Sequence, residues 1–454
     1  MADAPETTSI TTLASRLVDM ARKQGATDAD AVAVSSQGES VRVRRGKVES
    51  VEREDARGIG LRAFVDQKEG PAYASASTSD LSEEGLRKLA DQVVQMARIS
   101  TPDPDAVPPS GADHPDDVPK YPPVTVWNRE ECERAALACE EAALEYSSDI
   151  SNSEGAEAGF GGSHIVYASS DGFLGSYRKH STSLGVSVIA GQGEMQRDYE
   201  FDQAEIAAKL RQPEVIGHKA AERACQRLHA GGLAARKCPV VFEPRVAVSL
   251  ARHLASAING RAVLQQRSFL TEACGQRIFP EWVKITDDPA HPKGMGNRPF
   301  DGEGTRTHPR DIIEAGCLTG FLTDRYAAKR LGVEATGHAR RGLTGDIGIG
   351  TSNLIWEAGG TSLGQLLRDI GDGLFITEMM GFGVNGVTGD YSRGAAGFLI
   401  ENGQLTRPVQ EITVAGNLND MFRQVIAAAN DLTWFGSVAT PTLAIADMTV
   451  AGTT

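Results

Sequence analysis

The chain has 454 residues, of which 41% are hydrophobic and 23% are charged, so it can bury more than one core, and about three domains are expected. Its formal net charge of −14 argues against a nucleic-acid partner, because an acidic surface repels phosphate backbones. The sequence has no run of about 18 apolar residues and no leader with a basic and an apolar region, so neither a transmembrane helix nor a secretory signal is expected. Its six cysteines include no CxxC and are too few for a disulfide framework, so we expect a cytoplasmic protein.

The first hundred residues alternate between helical and strand patterns. Apolar residues at helical spacing predict a helix at 10–24. Period-two patterns then predict strands at 31–36, at 41–54 (two strands around Arg45-Gly46), at 58–65 and at 72–77. Asp80 is predicted to begin a second helix, with Glu83 three residues later in a capping-box-like start. Helices and antiparallel strands together predict an α/β sandwich domain over residues 1–100.

A proline-rich stretch separates this domain from the next. Residues 101–123 contain eight prolines, which exclude a helix or a central strand, so we predict a linker at 101–124. The predicted elements of the α/β middle domain, 125–235, are a helix at 127–147, strands within 151–201 with a hairpin at Asp171-Gly172, and a helix at 214–229. Cys132 and Cys139 lie seven residues apart on one helix face and are expected to pack in its core.

The last part of the chain, 236–454, is rich in Gly, Thr and Asp and has few long periodic stretches. A buried strand is predicted at 239–244, a helix at 246–258 and a closing strand at 443–450. We therefore expect a mainly β C-terminal domain with long glycine-rich loops. The predicted fold class of the whole chain is α+β.

Common catalytic motifs are missing. No two of the nine histidines lie three or four residues apart, so no helix can present a pair of imidazoles to a metal. Neither GxSxG nor a phosphate-binding P-loop occurs. Three glycines at 381–386 match GxGxxG, but residues 388–391 predict a turn rather than the helix that a dinucleotide site needs. Ser392 is expected in a tight loop with a buried Arg–Asp contact.

Unusual polar loops are concentrated in the last third of the chain. Residues 303–313 bring Arg306, His308 and Arg310 together around a proline, and residues 334–342 add His338. Such loops are often functional. The alternative is a network of buried Arg–Asp and Arg–carbonyl bonds that holds long loops in place. The residue pattern leaves both interpretations open.

Several long stretches resemble one known family. They are GKVESVEREDARGIGLRAFV (46–65), PVVFEPRVAVSLARHLASAINGRAV (239–263), QRSFL (266–270), GEGTRTHPRDIIEAGCLTGFLTDRYAAKRLG (302–332), ATGHARR (335–341), GVNGVTGDYSRGAAGFLIENG (383–403), EITVAGNLNDMF (411–422) and MTVAG (448–452). The chain resembles the TldD/PmbA family, once labelled modulators of DNA gyrase, and within it the PmbA (TldE) branch. The resemblance implies three regions, the last mainly β.

The resemblance also implies a partner. In this family a TldD-type subunit, which holds zinc through a helical HExxxH and a C-terminal cysteine, pairs with a PmbA-type subunit. The pair resembles a metalloprotease that degrades unfolded or leader peptides in an inner cavity. In the matching helix of this chain His253 is the only histidine, and counting back from Pro441-Thr442 puts Ala427 at the cysteine position. The expectation is a subunit with no cofactor of its own and no catalytic residue, with zinc in a TldD-type partner.

We expect this subunit to form part of a substrate chamber, in a heterodimer with its partner or in a homodimer when alone. A peptide would bind as an added β-strand, mainly through main-chain hydrogen bonds. The residues predicted to contact the peptide belong to the two polar loop regions: Arg306, His308, Arg310, His338, Asn385, Asp390, Tyr391 and Arg393. Two alternatives remain: a self-sufficient metallohydrolase with an unrecognised site, and a regulator that binds DNA gyrase.

Overall fold

A computed structural model describes residues 9–116, 118, 127–343 and 347–452. Within these ranges, none of the helices has the length and apolar character needed to cross a membrane. The predicted α+β architecture with a mainly β C-terminal region is confirmed.

The first half of the chain builds one six-stranded antiparallel sheet. Its elements are α1 (Ile10–Lys23), β1 (Asp28–Arg44), β2 (Lys47–Gln67), β3 (Gly70–Thr78), α2 (Glu83–Ile99), α3 (Arg129–Glu145), β4 (Ile150–Ser169), β5 (Leu174–Ala190), β6 (Gln196–Ala204) and α4 (Pro213–Gln226). The strand order is β3-β2-β1-β4-β5-β6. β1 pairs with β4 from Asp30 opposite Ser169 to Val43 opposite Ala156. Segments on both sides of the proline-rich linker therefore share one sheet.

The strands are longer than predicted. The strand expected at 31–36 and the first of the two expected within 41–54 are one strand, β1, and the second of those two continues through 58–65 as β2. Polar residues near the middle of both strands interrupt the apolar alternation, but the backbone pairing continues past them. The turn at Arg45-Gly46 is confirmed, and both residues have the positive φ of a tight hairpin turn.

The second helix also differs from the prediction at its start. It begins at Glu83 with Ser82 as N-cap, whose Oγ accepts from the Gly85 N–H at 3.1 Å. Asp80 lies before the helix and instead accepts a hydrogen bond from the Ser82 N–H at 3.0 Å. The carboxylate thus shapes the entry to the helix, and the hydroxyl caps it.

Helices cover the two ends of one sheet face, because alternate residues of a strand point to the same side. α1 and α2 pack on Ala31 and Leu61, whereas α3 and α4 pack on Val43 at the other end. Cys132 and Cys139 are fully buried in this second cluster, as expected. The opposite face of the sheet contacts the C-terminal domain through a small cluster that includes Val32, Tyr167 and Phe300.

The C-terminal domain is built from short strands and helices. They are β7 (Arg236–Phe242), α5 (Pro244–Ala257), α6 (Gly260–Leu264), β8 (Ile285–Asp287), β9 (Arg310–Glu314), β10 (Cys317–Leu318), α7 (Arg325–Leu331), β11 (Ala339–Arg340), β12 (Gly348–Ile349), β13 (Leu354–Trp356), α8 (Leu363–Ile370), β14 (Gly373–Met380), β15 (Asp390–Glu401), β16 (Gln404–Asn417), α9 (Leu418–Arg423), β17 (Val425–Ala428), β18 (Thr433–Phe435), β19 (Val438–Thr440) and β20 (Leu443–Gly452).

Five of these strands close into a small barrel. The order is β16-β15-β14-β7-β20, and β20 pairs back with β16, from Thr449 opposite Ala415 to Gly452 opposite Ile412. A second sheet, β10-β9-β8-β13-β19-β18, lies in the same domain. α5 follows β7 and buries Leu250 and Leu254 in the largest hydrophobic cluster among the described residues. The position of α5 is therefore fixed by the barrel.

The turn predicted at 388–391 is partly wrong, because β15 already begins at Asp390 and carries Ser392. The Arg–Asp contact expected there does not form. Arg393 Nε donates instead to the carbonyl oxygen of Gly381 at 3.1 Å, and the Asp390 carboxylate accepts from Thr388 Oγ1 at 2.6 Å. The loop at 381–389 is thus closed by hydrogen bonds between its two ends.

The described part of the linker lies on the C-terminal domain. Lys329 Nζ donates to the carbonyl oxygen of Pro104 at 2.6 Å, and the Arg325 guanidinium lies 3.2 Å from an Asp113 carboxylate oxygen. The linker is therefore fastened along its first part, while residues 117 and 119–126, which belong to the predicted linker and its junction with the middle domain, lie outside the described ranges.

Candidate functional site

The exposed face of α5 and the glycine-rich loop at 381–389 line a cavity of about 510 Å³ that is open to solvent. α5 begins with Pro244 at its first turn and buries one apolar stripe, so its opposite face is left for the cavity. The cavity is lined by Ser249, Arg252, His253, Ser256, Ala257, Arg267, Phe269, Gly381, Phe382, Val384, Gly386, Arg393 and Leu418. Of the eight residues predicted to contact a peptide, Arg393 lines this cavity.

Two other predicted residues shape the loop that forms its wall. The Asn385 side chain accepts from the Val387 N–H at 2.9 Å, and its backbone N–H donates to the carbonyl oxygen of Asp390 at 2.8 Å. The Asp390 carboxylate also accepts from Asn417 Nδ2 at 3.2 Å. A Cβ at Gly383 would lie 1.9 Å from the Ser392 carbonyl oxygen, so only glycine fits there. Asn385 and Asp390 therefore hold the loop in its conformation.

The histidine of α5 is half-buried against Tyr391. The two rings meet edge to face with centroids 6.1 Å apart, and the buried His253 Nε2 has no hydrogen-bond partner among the described residues. Burial, and then the charge of Arg393, lower the pKa of His253, so the imidazole is neutral at pH 7. Burial raises the pKa of Tyr391 to about 12. Neither ring contributes a charge to the site at neutral pH.

Positive charge in the cavity comes from three arginines. Arg252 and Arg267 are exposed, and Arg393 is half-buried. Arg393 is held by the carbonyl oxygen of Gly381, and Arg267 contacts the side chain of Gln265. Within the described ranges, no carboxylate lies within 4 Å of any of the three guanidinium groups. The cavity is thus electropositive in a chain of net charge −14.

Zinc does not fit this site. A hydrolytic zinc needs three protein ligands and one open position, and α5 supplies only His253. Across the part of the chain that is described, no three His, Cys, Asp or Glu side chains are grouped closely enough to hold a metal ion. Ala427, at the position of the expected cysteine, lies on β17 opposite Ala444 and has no ligand atom. Three nearby guanidinium groups would also repel a divalent cation.

The predicted residues at 306–310 lie elsewhere, beside the linker. Arg306 is exposed, with its Nη1 3.7 Å from an Asp116 carboxylate oxygen. His308 is exposed too, and partial burial, together with the charge of Arg310, lowers its pKa. Arg310 lies at the start of β9, opposite Asp287 of β8. None of the three lines the cavity beside α5, so their contact with a peptide stays a prediction.

His338 is placed in the protein interior. Its Nε2 lies 3.1 Å from an Asp287 carboxylate oxygen and its Nδ1 lies 2.9 Å from Thr336 Oγ1. Burial lowers the pKa of His338 in spite of the nearby carboxylate. His338 therefore helps to hold the long loops in place, which agrees with the alternative interpretation of the polar loops as a structural network. A ligand would reach this side chain only if those loops opened.

A buried network of charged side chains connects the polar loops of the C-terminal domain to the large sheet. Arg62 Nη2 lies 2.6 Å from an Asp30 carboxylate oxygen, and its Nη1 lies 3.1 Å from Glu303. Arg341 and the Tyr167 hydroxyl donate to the same Asp30 carboxylate. These residues come from distant parts of the sequence, and no local pattern could have predicted that they meet.

Arg252, which lines the cavity beside α5, could by contrast have been noticed as the residue beside His253 in the matching helix.

Three family profiles match the chain. Residues 29–97 match PmbA/TldA metallopeptidase domain 1, residues 122–228 match the central domain and residues 235–452 match the C-terminal domain. The metalloprotease PmbA of Escherichia coli O157:H7 is 38% identical over 94% of this chain and 93% of its own length. The profiles together span most of the sequence.

Solved structures show the same fold. A candidate modulator of DNA gyrase from Bacteroides thetaiotaomicron superimposes with a TM-score of 0.88 at 28% identity, over 98% of this chain and all of the other. TldE from Thermococcus kodakarensis superimposes with a TM-score of 0.86 at 20% identity, over 97% of this chain and all of the other. The predicted family is confirmed: the chain belongs to the PmbA/TldD family of metallopeptidases.

Proposed function

We propose that this chain is the non-catalytic subunit of a two-protein zinc metallopeptidase and that a TldD-type subunit supplies the zinc. The observation that carries the proposal is the composition of the cavity beside α5. Its helix offers His253 as a single candidate metal ligand, and its charged groups are arginines. Such a site cannot polarise a peptide carbonyl or activate a water as zinc does.

The role of this chain in the complex is to bind and orient an unfolded or leader peptide. β3 lies at one edge of the large sheet and is the edge to which an added strand would pair, beyond Pro71, whose carbonyl oxygen accepts from the linker. The opposite edge, β6, is covered by arginine side chains that donate to the carbonyl oxygens of Arg197, Tyr199 and Phe201. The loop at 381–389 presents Phe382 fully exposed beside the electropositive cavity. Main-chain bonding at an edge and apolar contact at the loop favour extended chains of varied sequence over folded proteins.

Metal analysis and peptide hydrolysis test the proposal together. The chain should be purified alone, the TldD-type partner alone, and the pair together. We expect zinc and hydrolysis of an unfolded peptide in the pair, with about one ion per two chains, and neither in this chain alone. A pair assembled with a partner whose HExxxH histidines are replaced should bind peptide but not cleave it.

The competing functions give different results in the same experiments. One zinc per molecule and hydrolysis by the lone chain would overturn the proposal in favour of a self-sufficient metallohydrolase. If the chain were a regulator of DNA gyrase, it would bind gyrase in the absence of the TldD-type partner and without zinc. A TldD-type partner that holds zinc and is equally active without this chain would also contradict the proposed role.

A further inference from the structure

We propose that the cavity beside α5 binds the C-terminal α-carboxylate of a peptide. The inference rests on the proposed function in one respect, since it takes a peptide as the ligand. It goes further in assigning this chain a specific group on that peptide and the residues that recognise it.

The charge of the cavity points to an anion. Arg252, Arg267 and Arg393 line one cavity, and no carboxylate of the described chain neutralises any of them. Acidic residues outnumber basic ones by 60 to 46 in this sequence, so a cavity whose charged groups are all cationic contrasts with the net charge of the chain. Guanidinium groups bind carboxylates through paired, charge-assisted hydrogen bonds. Three of them around one concave surface therefore favour an anionic ligand.

The remaining lining favours an organic ligand. Phe269, Phe382, Val384 and Leu418 form apolar parts of the same wall. The cavity volume of about 510 Å³ falls in the usual range of about 300–1,000 Å³ for sites that hold an organic molecule. A terminal residue with an apolar side chain fits this combination of cations and apolar surface, whereas a small inorganic ion would leave the apolar wall unused.

His253 also lines the site, and its ring is neutral at pH 7. Its Nε2 is buried without a hydrogen-bond partner in the described chain, so recognition of the carboxylate is assigned to the arginines. Holding the end of a peptide in this subunit would leave the rest of the extended chain free to reach the partner subunit.

Binding to the isolated chain tests the inference without zinc or partner. Fluorescence anisotropy would compare three N-terminally labelled, unstructured decapeptides at low salt: one ending in leucine with a free carboxylate, the same peptide amidated, and an amidated peptide with an internal glutamate. We expect amidation to weaken binding about tenfold or more and the internal glutamate not to restore it. Equal binding of the acid and amide forms would overturn the proposal, and restoration by glutamate would overturn its assignment to the peptide terminus.

Arginine variants test the location of the site. Arg252→Gln removes an exposed side chain without a partner in the described chain, so folding should be unaffected, and the preference for the free acid should fall about tenfold. Arg393→Gln should have a similar effect but also loses the bond to the loop carbonyl. Arg87→Gln, at an exposed position on α2, is the matched control and should keep the full preference.

The two proposals fail in different ways. If Arg252→Gln and the control retain the same preference for the free acid, the cavity is not the site, even if the chain is the non-catalytic subunit. If the isolated chain holds zinc and cleaves the peptide, the proposed function fails, whatever the peptide comparison shows. Unchanged thermal melting of each variant confirms that a loss of binding is local.

Discussion

Replacing Asp30 by asparagine would leave two buried guanidinium groups without their shared carboxylate. Asp30 is fully buried, and the side chains of Arg62 and Arg341 are almost so. Removing one partner of a buried ion pair costs about 3–5 kcal/mol, because the remaining charge stays desolvated. Glu303 still neutralises part of the charge of Arg62, so we expect Asp30→Asn to lower the free energy of unfolding by about 2–5 kcal/mol.

The pKa of Asp30 gives a second, independent magnitude for its contribution to the free energy of unfolding. Burial alone would raise it, but the charges and hydrogen bonds of Arg341 and Arg62 outweigh burial and lower it from 3.8 to about 2. The folded protein therefore binds fewer protons than the unfolded one, and Asp30 contributes about 2 kcal/mol above pH 4. This contribution is lost as the pH falls from about 4 to 2, with roughly half of it gone at pH 3.

Urea unfolding at several pH values measures both effects. At pH 7 the Asp30→Asn variant should unfold at a lower urea concentration with an unchanged slope, and the difference from the natural chain should narrow between pH 5 and pH 3. Asp66→Asn, at an exposed position on β2, is the control and should change stability by less than about 0.5 kcal/mol. Equal losses in the two variants, or a difference for Asp30→Asn that is constant with pH, would refute the reasoning.

Three further predictions concern the loops and the thiols. Gly383→Ala places a methyl group against a facing backbone oxygen, so we expect the loop at 381–389 to rearrange and peptide binding to fall at least tenfold, measured by anisotropy. Thiol labelling of the native chain at pH 8 should modify the exposed Cys274 within minutes. Cys132 should react only in denaturant, because burial raises its pKa to about 12, and rapid labelling of Cys132 in the native chain would contradict the packing. Arg306→Ala and Arg310→Ala should impair the activity or assembly of the complex, and full activity with normal assembly in both variants would contradict this.

Local patterns predicted the elements that depend on neighbouring residues. α1 spans Ile10–Lys23 against a predicted 10–24, and α5 spans Pro244–Ala257 against 246–258, because the spacing of apolar residues defines a helix face directly. The pairing of β1 with β4 depends on residues more than a hundred positions apart. No periodicity records such a pairing, so one large sheet could not be inferred from two predicted domains.

The candidate site was predictable only in part. The family resemblance drew attention to His253 and to the loop that carries Arg393, which the structure brings together around one cavity. Arg252 and Arg267 also lie in matching stretches, but only the tertiary fold brings them together with Arg393 around one cavity. His338 was singled out for its place in a polar loop, but whether a histidine faces solvent or the interior is decided by the tertiary packing.

The barrel of the C-terminal domain cannot close until its last strand, β20, has been synthesised. β7 ends at Phe242 and β20, its antiparallel neighbour, begins at Leu443, so roughly two hundred residues are synthesised between them. At about 5–20 residues per second, ribosomes need roughly 10–40 s for that interval. During this time the β20 side of β7 has no strand to pair with, and the other side has none until β14 is synthesised. An unpaired edge is a template for association with other chains. Nascent chains stalled before Leu443 should therefore bind chaperones and aggregate on release, whereas chains extended through β20 should not.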